Sequence, residues 1–357
     1  MGAFFLYMKQ SFDVSYSPAT TTFLAEQKIC LFITTYQAGK LIIISAKDGQ
    51  LIQTPISFKK PMGIAIDGTK MAVACFDELC FFSKNENTAS FVNDEQLQYD
   101  AIYLHRATYH TGTLDVHDLS FGDGMIWGIN TLFSCISVFD INHSFRPKWK
   151  PPFISQLVPE DRCHLNGMVL KDGVPKYVTA LSEDDVKHGW RKNKLNTGVL
   201  MEVPSGEIIL SGLSMPHSPR FYNDELYLLE SGSGTLIKVN LAENSKEILV
   251  SFDCFIRGLS FHEHYAIIGK SQIRETSTDF NDLPIKENSK NAGLIIFCMK
   301  TKKLVGEIHY TGDVQEIFDV GVFENVENAV VVTNEIEKLK DVITFPGNVF
   351  KRMKKEG

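Results

Sequence analysis

The stretch Met215–Val250, MPHSPRFYNDELYLLESGSGTLIKVNLAENSKEILV, decides the fold. Its apolar runs are four to eight residues long and rich in Leu, Ile, Val and Tyr. Asn223-Asp224, Ser231–Gly234 and the Ala242–Asn244 segment break them. Asn and Gly tolerate the positive φ of tight reversals, so each break is a turn with a mechanism. Three or four strands in 36 residues, with no stripe at helical spacing, describe one antiparallel meander.

Outward from this stretch the same unit recurs. MGIAIDGTKMAVACFDELCFFSK starts at Met62 and HDLSFGDGMIWGINTLFSCISVFD at His117. HLNGMVLKDGVPKYVTAL, RGLSFHEHYAIIGKS and EIFDVGVFENVENAVVVTN follow. Tight-turn dipeptides punctuate them at Asp48-Gly49, Asp67-Gly68, Asp123-Gly124, Asp172-Gly173 and Ser205-Gly206. First strands begin near Met62, His117, His164, His217, Arg257 and Glu316, in steps of 55, 47, 53, 40 and 59 residues. That is close to the ~40–50 residues of a propeller blade. An N-terminal unit, Thr22–Gln27 leading into Ile29–Thr35 and Lys40–Ser45, adds a seventh phase. The expectation is an all-β chain folded as a β-propeller, with seven blades preferred over six, over residues 12–334. The strand Phe12–Tyr16 is expected to close the ring and protect its edges. Residues 335–357, ending KRMKKEG, read as a basic tail, either a short helix or unstructured.

Composition bounds the function. Against 36 Lys and Arg stand 43 Asp and Glu, a formal charge of −7, which argues against a nucleic-acid binder needing a basic face. No apolar run is long enough to span a membrane. Met1–Met8 is apolar but lacks the basic start and small-residue cleavage site of a signal peptide. The seven cysteines are odd in number and lie mostly in apolar strand-like runs, with no C-x-x-C pair. Free thiols in a reducing compartment, and hence a cytoplasmic chain, are the expectation.

The chemistry sits in a register. With the units superposed, one column holds Met62, His117, His164, His217, Arg257 and Glu316 at the start of successive inner strands, which line a propeller's channel. Three imidazoles converging on the axis suit a divalent transition metal, with positions left open for substrate. Arg257 and Glu316, with Asp118, are the expected catalytic residues: a charged clamp, a base or fourth ligand, and a carboxylate beside the imidazoles. Arg162, Asn166, Arg220, Trp190 and Arg191 are the expected substrate-binding residues. Trp149 and Trp190, each among Arg and Lys, could form a rim for an anion or sugar. The plain structural reading of the histidines is that they plug a narrow channel, bonding water and backbone.

Several strings carry a resemblance. NTLFSC (130–135), PKWKPPFISQLVPEDRCHLNGM (147–168), GLSMPHSPR (212–220) and RGLSF (257–261), with TTYQAGKL (34–41), are similar to a mostly bacterial family of conserved proteins of unknown function. The resemblance spans about Ser15 to Asn325 and implies a propeller, but no mechanism. Two functions follow as expectations. One is a metal-dependent hydrolase, lyase or isomerase acting on a small polar, anionic or glycan-like molecule at the channel mouth. The other is a non-catalytic scaffold binding a protein or glycan partner.

Overall fold

The computed structural model describes residues 12–85, 88, 98–192, 194–273, 280, 283–333, 342–346 and 348–351. Six antiparallel sheets stand around one axis. Blade 2 runs outward through Ile64–Asp67, Lys70–Ala74, Glu78–Lys84 and Ala101–His110. Blade 3 comprises Val116–Gly122, Met125–Asn130, Cys135–Val138 and Arg146–Trp149. Blade 4 comprises Leu165–Lys171, Val174–Ala180, Gly198–Glu202 and Ile208–Leu213. The stretch that opened the sequence reading is blade 5: Pro216–Tyr222, Glu225–Glu230, Thr235–Asn240 and Ser245–Ser251. Blade 6 comprises Phe255–His262, Tyr265–Ser271, Ala292–Cys298 and Lys303–Thr311.

Blade 1 closes the ring and corrects two expectations. Its outer strands, Ile29–Thr34, Lys40–Lys47 and Gln50–Ser57, come from the start of the chain, and its innermost strand, Asp319–Glu324, from near the end. The register runs from Ile29 opposite Glu324 to Thr34 opposite Asp319. The N-terminal unit and the last inner strand, counted separately as two phases, are thus one sheet, and the ring has six blades. Asp13–Tyr16 does not close it. That strand pairs with Lys303–Thr311 as a fifth strand on the outer edge of blade 6. Blade 2 also gains a fifth strand, Ala329–Val332, parallel to Ala101–His110.

The expected turns form. Asp48-Gly49, Asp172-Gly173 and Asn223-Asp224 hold φ between 49° and 80° at both central positions, as two-residue hairpins require. Thr22–Gln27 belongs to a helix, Pro18–Gln27, with Pro at its first turn and Phe23 and Leu24 buried. Within 335–357 the described residues form a hairpin, Val342–Phe345 with Asn348–Lys351, where a helix or unstructured tail was expected. Between blades the core is aliphatic: Leu31, Ile33, Ile42 and Ile44 of blade 1 pack with Ile267, Leu294, Ile296 and Ile308 of blade 6. No helix among the described residues is long and apolar enough to cross a membrane.

Candidate functional site

The inner strands begin at one end of the channel, and the site lies there. His117 and His217 are the second residues of the inner strands of blades 3 and 5, His164 immediately precedes that of blade 4, and Arg257 is the third residue in blade 6. The repeat therefore sets all four at the same end of their blades. The ring centroids of His117 and His164 are 4.9 Å apart and perpendicular, and His117 meets Phe318 at 5.1 Å. The Arg257 guanidinium lies 3.4 Å from the Phe318 ring centroid, with Nη1 3.8 Å from Glu316 Oε1. Phe318, which stacks on Tyr36 at 5.7 Å, is a wall of the mouth that the sequence reading missed. Glu316 lies in the segment before Asp319–Glu324, so Phe318 occupies the position next to the strand.

Each imidazole has its Nδ1 turned to an oxygen. In His117 it is 2.9 Å from the Asp115 carbonyl, and in His217 2.9 Å from the Met215 carbonyl and 2.9 Å from Ser231 Oγ. In His164 it lies 3.0 and 3.1 Å from the carboxylate oxygens of Asp161. A carbonyl or carboxylate can only accept, so these bonds put the proton on Nδ1 and a lone pair on Nε2. Burial holds His117 and His217 well below the ordinary imidazole range, and the Arg257 guanidinium pushes further the same way. Both are neutral at neutral pH. Burial also brings Arg257 down to about 10.

The backbone around these side chains is unusual. Asp115, Asp161, His164, Met215 and Ser218 all have φ between 46° and 51°, a region costly for residues other than glycine. Lys60 and Asp253, ahead of the inner strands of blades 2 and 6, share this conformation, so part of it belongs to the turn that enters each blade.

Above the mouth two loops meet. Within the segment Glu183–Asn196, Trp190 is buried, lies 4.3 Å from the His164 ring and donates to Asp161 Oδ2 at 2.8 Å. It packs with Leu181, Met215, Phe255 and Ile273, and with Leu283 and Ile285 of the second long loop. Trp190 thus positions His164 and helps roof the site, where it was expected on a substrate rim. Arg191 stacks on its indole at 5.0 Å. Trp149 anchors its strand to the next blade by donating to the Pro204 carbonyl at 3.0 Å. The remainder of the second loop includes residues outside those described.

Below the mouth the channel is filled with paired charge. Arg220 bonds Asp118 at 3.0 and 3.2 Å and stands 3.9 Å from Asp319. Asp118 also accepts the backbone N–H of Met168 at 2.9 Å, and Asp319 that of Ile64 at 3.0 Å. Both carboxylates therefore tie an inner strand to the next blade. Burial raises Asp319 to about 6. Asp118 and Arg220, expected to act on substrate, are placed as struts between blades. Asn166 accepts from Thr179 Oγ1 at 2.7 Å, and its buried Nδ2 has no protein partner. Arg162 is held by Glu160 at 2.8 Å and Asp185 at 2.7 Å, so it is already neutralised.

For a metal the fit is divided. Lone pairs on Nε2 with Nδ1–H held by oxygen are what imidazole ligands need. Yet the three imidazoles do not each set a nitrogen within 4.8 Å of the other two. Among the described residues the one group of three such donors that close is Cys75, Glu78 and Cys80.

The architecture is shared more widely than the residues. A chain in the crystal structure of a nidogen/laminin complex superposes with a TM-score of 0.54 at 12% identity, covering 83% of this chain and 99% of that one. A protein of unknown function from Bacteroides caccae gives 0.52 at 9% identity, covering 83% and 98%. At such identities the likeness is one of fold. No curated protein matches the sequence. The family profile described as "Domain of unknown function (DUF4915)" matches residues 18–332, nearly the whole ring, and the chain belongs to that family.

Proposed function

We propose that the channel mouth is an enzyme site for a small polar anion, a carboxylate or phosphate, held by Arg257 and worked on by the imidazoles of His117, His164 and His217. The observation that carries this reading is the common orientation of the three rings, each with Nδ1 against an oxygen. A plug needs no common tautomer. A site that accepts a proton or ligates through Nε2 does.

Arg257 supplies a charge in a dry setting, where an anion's pull on it is strong. Its aromatic support on Phe318 holds the guanidinium without consuming its donors. Asp161 keeps His164 in one tautomer and would stabilise the imidazolium formed when Nε2 takes a proton. A divalent transition metal, if held, would sit on the Nε2 atoms and add Lewis acidity toward a carbonyl or phosphoryl oxygen. The separation of the rings means that loading requires them to move inward.

Two measurements on protein purified without an affinity tag test this. Stoichiometric metal lost in a His164→Ala/His217→Ala variant supports metal-dependent chemistry. A melting temperature raised by small carboxylates or phosphates in the wild type and not in Arg257→Gln supports the anion site. Absence of both effects would sink the reading. What then stands is a scaffold for a protein or glycan partner. That alternative draws on the Asp118–Arg220–Asp319 cluster that fills the channel, and on the likeness to a chain from a nidogen/laminin complex.

A further inference from the structure

We infer that Cys75, Glu78 and Cys80 form a second, thiolate-rich metal site in blade 2, remote in sequence from the axial histidines and suited to zinc or another thiophilic divalent ion. The three residues flank the turn between Lys70–Ala74 and Glu78–Lys84. The backbone N–H of Cys75 bonds the Glu78 carbonyl at 2.8 Å, which closes that turn. Val73 stands opposite Cys80 in the ladder, and Cys75 lies two residues past Val73. Glu78 lies two residues before Cys80. Alternation therefore places all three side chains on one face.

One ligand atom from each lies within 4.8 Å of the others. An ion at about 2.3 Å from sulfur and about 2.0–2.2 Å from a carboxylate oxygen fits such a triangle. Cys80 Sγ is already 3.6 Å from Glu78 Oε1. On the neighbouring strand His105 hydrogen-bonds the Cys80 thiol and is oriented by Thr108 Oγ1, 2.8 Å from Nε2. It is placed to support the sulfur from outside the group of three, its Nε2 also standing 3.1 Å from the Ala107 carbonyl. Both cysteines are buried while Glu78 is half-buried, which gives the ion a way in past the carboxylate.

Bound to an ion, two thiolates and a carboxylate carry three negative charges in a partly buried pocket. A divalent ion displaces the two thiol protons and leaves one. The other cysteines, Cys30, Cys135, Cys163, Cys254 and Cys298, are buried thiols outside any such group among the described residues.

The test uses the full-length protein, purified without an affinity tag, reduced, and stripped of metal by a chelator at neutral pH. Cobalt(II) should give a thiolate-to-metal charge-transfer band that saturates at one equivalent. Zinc should protect Cys75 and Cys80, located by peptide mapping, from alkylation in the wild type, a readout that needs no variant. Cys75→Ser/Cys80→Ser should abolish the band, whereas Cys30→Ser and His164→Ala should keep it. Glu78→Gln should weaken cobalt by more than about ten-fold, the least that losing a supporting partner costs such a site. Absence of the band with both thiols still reactive, its survival in the double serine variant, or a Cys75–Cys80 disulfide in the purified protein would each overturn the inference.

Discussion

The Nδ1 of His164 is shared between the two carboxylate oxygens of Asp161, three residues earlier, at 3.0 and 3.1 Å. Both residues have positive φ, 51° and 46°. Backbone strain of this kind costs on the order of 1–3 kcal/mol per residue. Trp190, brought in by a long loop, donates to the same carboxylate and lies against the same imidazole. Three elements of different origin thus converge on one ring orientation.

Asp161→Asn should expose that dependence. Trp190 and His164 both reach Oδ2, so an amide oxygen there keeps those bonds, but the amide NH2 takes the place of Oδ1, 3.0 Å from His164 Nδ1, where it meets the ring N–H donor to donor. That conflict costs about 1–3 kcal/mol unless the ring proton moves. The melting temperature should fall, and nitrogen NMR should show His164 moving its proton from Nδ1 toward Nε2. Metal or anion binding at the mouth should weaken by about 10–100-fold. An unchanged tautomer would show that Asp161 does not orient the ring.

The buried charge cluster predicts a stability profile. Arg220→Met leaves Asp118 and Asp319 without their cation and should cost about 3–5 kcal/mol, read as a large fall in the denaturant midpoint. Asp319 itself is raised from 3.8 to about 6, first by burial. A carboxyl whose folded pKa lies above its unfolded one binds its proton more tightly when folded. Its contribution is therefore full below about pH 4 and is lost as pH rises toward 6. Asp319→Asn removes that falling component, so the variant should gain on the wild type across this window, whatever the fixed cost of its altered hydrogen bonds. A constant difference between the two would refute the assignment.

The channel histidines predict the opposite slope. Burial holds His117 and His217 below the ordinary 6.5, so the unfolded chain takes up protons there before the folded one does. Stability from these groups is present above pH 6.5 and is lost below it, at up to about 1.4 kcal/mol per pH unit for each. His217→Gln should flatten the acid limb of a denaturation series between pH 6.5 and 5. An equally steep limb in that variant would mean that His217 is protonated in the folded protein.

The sequence made the repeating unit legible because its signals are local. Asn223-Asp224 and Asp172-Gly173 dictate their own turns, and the spacing of His117, His164 and His217 follows the blade period. What escaped was non-local. Asp319 pairs with Thr34 across nearly the whole chain, and neither strand announces its partner, so one blade was counted twice. Phe318 was hidden because Glu316, two residues earlier, looked like the strand start. The strut roles of Asp118 and Arg220 depend on which blades face each other, and the role of Asp161 depends on a loop conformation that its residue type permits without requiring. Cys75 and Cys80 follow no metal-site spacing, and only the hairpin register brings them to one face.

Ring closure itself is open to a sharp test at Gly321. The innermost strand of blade 1 presses this residue against Phe32, where a Cβ would fall 1.8 Å from Cζ of the ring. Phe32 is buried and its ring lies tilted against that of Phe323, centroids 4.6 Å apart, so it has little room to yield. Gly321→Ala should therefore destabilise by about 1–3 kcal/mol through overpacking. Because the clash is with one side chain, Phe32→Leu should relieve it, and the double variant should lose less than the two single losses combined. Strict additivity would place the cost of the alanine in the backbone and not in the Phe32 contact. Hydrogen exchange should also show Ile29–Thr34 opening first in Gly321→Ala, since that strand loses its inner neighbour when the ring comes apart.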